Sequence, residues 1–270
     1  MEQDHRILQT TEELEPSEAQ RVLDKGALRP RLTALKGAGW KPISLVDVKG
    51  KVTFTLWLCG CNLRCPFCHN WKIANGSREA CSEIDIEKMK GDLLSVLSFV
   101  DYFHVTGGEP LMQVNELKGL FKELKSEGVN ISLNSNLTLP WLLKKVLPLL
   151  DHVATDLKLP EFYGYGEVAS SAMFSNFLKS LDLLAEAHMK VELRVPIAKG
   201  YELSAYENLF RAVVPHLKFP HYFVLNKLLG PPLTEPRDEA WCRTHCFAGF
   251  DEGAEELDKL SKILNMANLP

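Results

Sequence analysis

Between residues 43 and 228, short β-prone runs alternate with longer stretches of helical spacing, and this alternation restricts the fold more than any other feature of the chain. "KVTFTLWL" (51–58), "YFHVTGG" (102–108), "VNISLNSN" (129–136), "HVATDLK" (152–158), "KVELRVPI" (190–197) and "YFVLNKL" (222–228) read as strands. Residues 83–99, 114–128, 139–150, 174–188 and 205–217 read as the helices between them, the second closed by Gly128. About six β-α units in succession predict an α/β fold with a parallel sheet and helices packed outside it, a partial TIM-like (β/α)6 barrel. A chain of 270 residues accommodates one such domain with extensions. We place an N-terminal helical extension at 1–39, the core barrel at 40–230, and a C-terminal segment at 231–270 with a C-x3-C pair and a helix over about 251–266.

In a barrel of this kind the site lies at the C-terminal ends of the strands, and the unusual polar motifs fall there. "LWLCGCNLRCPFCHNW" (56–71) follows the first strand and holds four of the seven cysteines. Cys61, Cys65 and Cys68 are spaced C-x3-C-x2-C, with Cys59 just upstream, still in strand register. Three chemistries compete for this loop. A structural zinc site needs four protein ligands, with Cys59 or His69 completing the set. An electron-transfer iron-sulfur cluster also takes four cysteines. A four-iron cluster on three thiolates leaves one iron open to an outside ligand, and the position on a barrel rim favours that third reading.

"VTGGEP" (105–110) ends the second strand. Its glycines allow backbone to approach a ligand, Glu109 supplies an acceptor suited to an ammonium group, and Pro110 stiffens the turn. "LNSN" (133–136) and "TDLK" (155–158) end the next two strands, where buried polar groups need partners. A mutual network of Asp156 with Lys158 or Asn134 is one way to satisfy them. Arg194 lies in the fifth strand, where a guanidinium can form a fork with oxygens.

"CNLRCPFCHN" after an apolar strand resembles the signature of the radical S-adenosylmethionine (radical SAM) superfamily, including the aromatic Phe67 before the third cysteine. The resemblance implies a [4Fe-4S] cluster on Cys61, Cys65 and Cys68 whose open iron binds SAM. One electron then gives methionine and a 5′-deoxyadenosyl radical, the protein supplying ligation, orientation and exclusion of water. "VTGGEP" resembles the superfamily's motif for the SAM amino group, which brings Gly107, Gly108, Glu109 and Pro110 into the site. In glycyl-radical-enzyme activases the next strand ends often read DTNG and D-[LI]-K; the resemblance implies SAM contacts by Ser135, Asn136, Asp156, Lys158 and Arg194. Asn134 and Leu137 depart from that pattern, which leaves a monovalent cation site without its first acid and its glycine. "SLVDVKGK" (44–51) feeding the cluster strand, with "CHN" (68–70) at its end, resembles activating enzymes of anaerobic ribonucleoside-triphosphate reductase, notably archaeal-type forms, over about residues 40–230. The partners this implies are that reductase, whose backbone glycine would carry the radical, and a flavodoxin or ferredoxin-type electron donor. No residue of this chain then needs to serve as a general acid or base.

Lys plus Arg total 31 against 35 Asp plus Glu, with no basic footprint for nucleic acid. The acidic, polar start lacks a secretory pattern, and no run reaches a membrane span. An odd cysteine count in close spacing fits a reducing cytoplasm and a metal or catalytic site better than a disulfide framework. Cys242 and Cys246 in "WCRTHC" are open between metal ligands, a redox pair and buried thiols. Two other functions stand beside the activase: a radical SAM enzyme acting on a small molecule or nucleoside, and a non-catalytic zinc or iron-sulfur binding module in which Cys59 is a ligand.

Overall fold

The structure is a computed structural model that describes residues 34–266. The helical extension expected at 1–39 lies outside the described residues up to position 33, and from Lys36 the chain is strand, not helix. That strand, β1 (Lys36–Ser44), runs antiparallel to β2 (Thr53–Leu58) and to the two-residue β3 (Ser82–Glu83). Beyond β2 lie β4 (Tyr102–Gly107), β5 (Ile131–Asn134), β6 (His152–Asp156), β7 (Val191–Ile197) and β8 (His221–Lys227), each parallel to its neighbour. The full order is β3-β1-β2-β4-β5-β6-β7-β8, so the six expected parallel strands form one contiguous sheet.

The crossovers carry the expected helices, and their apolar spacing explains how they dock. The helix α1 (Trp71–Ala74) is a single turn in the cysteine loop, followed by α2 (Ile86–Val96). In α3 (Val114–Ser126) the buried Val114, Leu117, Leu120, Phe121 and Leu124 recur every three or four residues and form one stripe against the sheet. Next come α4 (Pro140–Val146), α5 (Glu167–Glu186) and α6 (Leu203–Val213), then α7 (Glu239–His245) and α8 (Ala254–Met266). Covered by helices outside, the strands bury their outward-facing Phe54, Leu56, Phe103, Val105, Leu133, Val153 and Leu193 completely. Among the described residues no helix is long and apolar enough to cross a membrane.

The sheet curls into a partial barrel because of the segment between β1 and β2. Thr55 on β2 donates to the Asp47 carboxylate at 2.8 Å, while Arg194 on β7 donates to the Asp47 carbonyl. Four strand spacings separate β2 from β7, roughly 19 Å in a flat sheet. Lys49 adds a backbone N–H to the Glu192 carboxylate, also on β7, at 2.8 Å. Residues 45–49 therefore bridge across the lumen and plug its lower end, with Val48 buried and Leu45 and Val46 outside. The sheet stays open between its two end strands, β3 and β8.

Four cysteines are paired, contrary to the expectation from their count. Cys59 bonds Cys81, and Cys242 bonds Cys246; Cys61, Cys65 and Cys68 are free. In "WCRTHC" the two sulfurs are bonded to each other and are not metal ligands: a helix turn brings positions i and i+4 together, so Cys242 and Cys246 face each other across the last turn of α7. The Cys59–Cys81 bond has a sequence separation of 22 and encloses all three free cysteines. A loop of that size contributes about 3 kcal/mol by restricting the unfolded chain. Cys81→Ser should lower the urea-unfolding free energy of the apo-protein by about that amount in non-reducing buffer. With dithiothreitol in both samples, wild type and variant should converge.

Candidate functional site

The strand ends of the barrel open into one cavity of about 600 Å³. Cys61, Cys65, Phe67 and Cys68 line it from the cysteine loop, Gly107 and Gly108 from the end of β4, and Ser135 and Asn136 from the segment after β5. Asp156, Lys158 and Arg194 complete the set from β6, its following loop and β7. Eleven of the thirteen residues singled out in the sequence thus share one cavity, while Glu109 and Pro110 stand behind its wall.

Close backbone contacts fix the cysteine loop. Gly108 donates its N–H to the Leu58 carbonyl at 2.8 Å, and Glu109 donates to the Gly60 carbonyl at 2.7 Å. A Cβ on Gly108 would lie 2.1 Å from the Gly60 oxygen, and one on Gly107 2.2 Å from the Leu58 oxygen. Gly107 also sits at φ +121°, which disfavours any side chain. On the far side, Arg64 N–H donates to the Tyr163 carbonyl, and the Tyr165 hydroxyl to the Asn62 carbonyl. Asn62, not singled out in the sequence, donates to Thr138 and accepts from Asn136, both at 2.8 Å. An asparagine between two of the cysteines was the only local signal of that lock.

The fully buried Glu109 carboxylate accepts from Leu111 N–H at 3.0 Å, the Ser135 hydroxyl at 2.9 Å and Asn136 N–H at 2.7 Å. Burial pushes its pKa up against those hydrogen bonds. Its acceptors face the protein, so within this structure it organises the cavity wall. Arg194 is likewise engaged, its guanidinium held by Glu192 and the Asp47 carbonyl. Asp156 and Lys158 pair at 3.0 Å. Burial alone would lower the Lys158 pKa, but Asp156 and then Cys65 outweigh it and hold the ammonium charged.

A histidine ladder lies lower in the lumen: His104 and His152 each hydrogen-bond the Ser132 hydroxyl through Nδ1, at 2.9 and 2.8 Å. Both Nε2 atoms are buried without a partner. Burial pushes the His104 pKa down to about 3 and the His152 pKa down to about 4.

The donor set separates the chemistries left open by spacing. Cys59 is taken up by its disulfide, and His69 Nε2 faces the Leu229 carbonyl at 3.3 Å, so neither stands as the fourth protein ligand that structural zinc requires. Among the described residues no three His, Cys, Asp or Glu side chains come together around a single ion position. Three free thiols at one wall of a cavity this size fit a four-iron cluster, which takes each thiolate on a different iron, with room for a second ligand. Burial, then the Glu109 charge, pushes the Cys61 thiol up to about 12, and burial raises Cys68, so ligation would release protons.

Comparison with known proteins places the chain in a family. Residues 56–213 match the radical SAM superfamily. A protein of Methanocaldococcus jannaschii assigned as a glycyl-radical enzyme activating enzyme is 27% identical over 164 residues, covering 58% of this chain and 66% of that one. The pyruvate formate-lyase-activating enzyme of Staphylococcus aureus is 37% identical over 110 residues, 38% of this chain and 42% of the relative. The chain thus spans under half the length of one of these relatives and just under two thirds of the other. Among solved structures, an archaeal TYW1 is similar at 16% identity and TM-score 0.49, covering 94% of this chain and 90% of that one.

Two outcomes follow from the geometry. Gly108→Ala should unfold at markedly lower temperature than wild type, whereas Gly91→Ala, in α2 with open space at its Cβ, should gain about 0.5–1 kcal/mol. Thermal melts of the two variants check the contrast. The histidines make stability depend on pH: above about 6.5 neither folded nor unfolded state protonates them, and below it the unfolded state alone takes up protons. Stability should fall on acidification from about pH 6.5 towards 4, by about 2 to 3 kcal/mol per pH unit near pH 5 from these two groups. Urea titrations at pH 7 and 5 measure it, and His104→Asn should remove about half of the decline.

Proposed function

The chain belongs to the radical SAM superfamily, and from that premise we infer that it cleaves S-adenosylmethionine reductively and uses the radical to activate a glycyl radical enzyme. The observation that carries the reading is the convergence of Cys61, Cys65 and Cys68 with Gly107 and Gly108 on one cavity, Cys59 being withdrawn. When bound, a reduced [4Fe-4S] cluster supplies one electron to SAM, which yields methionine and a 5′-deoxyadenosyl radical.

The chain's own residues bind, orient and shield. The three thiolates would hold the cluster, and Phe67, next to the third, packs its ring edge-on against Phe162 at 5.6 Å. Gly107 and Gly108 leave backbone open to the methionine end of SAM, and Glu109 acts from behind, holding Asn136 and Ser135 in the wall. Asp156 offers a carboxylate oxygen to the ligand, the Asn136 amide, held by Asn62 and Thr138, shapes the wall beside it, and Arg194 lies at the foot of the cavity against the plug. Leu228, Leu229, Phe250 and Leu257 supply an apolar side that limits water.

The names of the two curated relatives support an activase, and "SLVDVKGK" with "CHN" supports anaerobic ribonucleotide reductase as its target. In that reaction one hydrogen atom passes from a glycine Cα of the partner to the 5′ carbon, giving 5′-deoxyadenosine and a glycyl radical. No proton transfer by this chain is required. A flavodoxin or ferredoxin-type protein would supply the electron.

The test is 5′-deoxyadenosine formation by anaerobically reconstituted protein with SAM and dithionite. Wild type and Cys59→Ala should give product, and Cys65→Ala should lose it at least 100-fold. Adding the reductase carrying α-deuterated glycine should move deuterium into the product and generate a glycyl radical signal in electron paramagnetic resonance. Product without deuterium transfer would reject this target, and no product from iron-loaded wild type would reject the enzyme.

A further inference from the structure

Lys158 is buried at the cavity wall, with three groups gathered around its ammonium. Its ammonium lies 3.0 Å from the Asp156 carboxylate, 4.0 Å from the Cys65 sulfur and 5.9 Å from the centre of the Phe67 ring. Local structure puts it there. Leu157 donates its N–H to the Arg194 carbonyl at 2.7 Å and buries its side chain, which turns the chain at the end of β6 and projects Lys158 over the cysteine loop. The segment beyond is fastened to the same loop by Arg64 N–H on the Tyr163 carbonyl at 2.9 Å. The lysine and the sulfur therefore belong to one braced unit.

We propose that Lys158 is a positioning residue whose ammonium donates to the Cys65 thiolate and sets the reduction potential of a cluster held there. The inference rests on the three-cysteine reading above and deepens it. Reduction adds one electron, and thus one negative charge, to the cluster and its thiolates. A positive charge at hydrogen-bond range of a buried ligating sulfur favours the state with the added charge. Asp156 keeps the ammonium in place, and Asn136 adds a second, neutral donor 4.0 Å from the Cys61 sulfur. The lysine thereby makes an otherwise electron-rich cluster easier to reduce by a low-potential one-electron donor.

The experiment is a potentiometric titration of reconstituted protein without SAM, with dithionite as the electron source, following the paramagnetic signal of the reduced cluster. At a fixed potential Lys158→Met should lower the reduced-to-oxidised ratio about tenfold, a midpoint ~59 mV lower for one electron. Lys158→Gln should shift it the same way, and Lys158→Arg, which keeps the charge, should stay near wild type. An unchanged midpoint in whichever charge-removing variant takes up iron overturns the proposal. If SAM affinity by equilibrium dialysis falls while the midpoint holds, Lys158 is a SAM ligand and the proposal is likewise overturned. Wild type that takes up no iron, or loses none on Cys65→Ala, would instead sink the three-cysteine reading.

Discussion

One buried carboxylate holds the rim together. Glu109 joins the end of β4 to the end of β5 through Ser135 and Asn136, while its own N–H joins β4 to the cysteine loop at Gly60. A charge taken out of water must be fully hydrogen-bonded to be tolerated, and the three donors it receives come from three separate chain positions. Moving any of those strand ends would leave a buried acceptor unmet. The glycines beside it have the complementary task, since they admit the backbone contacts that bring the donors within reach.

The six parallel strands and most of their helices were legible because both faces of the sheet are buried, which writes short apolar runs separated by amphipathic ones. β1 was not: "KGAGWKPIS" is rich in glycine and lysine, and its half-exposed antiparallel pairing leaves no such run. α7 also escaped, being two turns long and dominated by its cysteines. Site residues were legible as strand-end positions, which is why so many meet in one cavity. Their roles were less so. Glu109 reads as a ligand acceptor in sequence and becomes an internal brace, and Arg194 is held by groups 2 and 147 residues away. Such partners are fixed by the curl of the sheet, which no local pattern encodes. The disulfides were missed for the same reason: spacing alone cannot distinguish a metal ligand from a cysteine whose partner is brought near by folding.

The barrel is divided by polarity along its axis. At the top lie the thiols and an open cavity; below them the lumen holds two hydrogen-bonded groups of polar side chains, His104, Ser132 and His152 on one side and Glu192, Arg194 and Tyr222 on the other. The strap at residues 45–49 closes the bottom. The cavity therefore opens at the rim, and the desolvated polar floor stiffens the strands that present it.

The covalent ring formed by Cys59 and Cys81 has a meaning in coordination chemistry. With Cys61, Cys65 and Cys68 all inside it, the loop is a macrocycle bearing three donors. Gathering the donors is then accomplished when the ring closes and the chain folds, not when metal arrives. A cluster bound there would be released slowly, because one thiolate that let go would be kept within reach and rebind before the other two could follow.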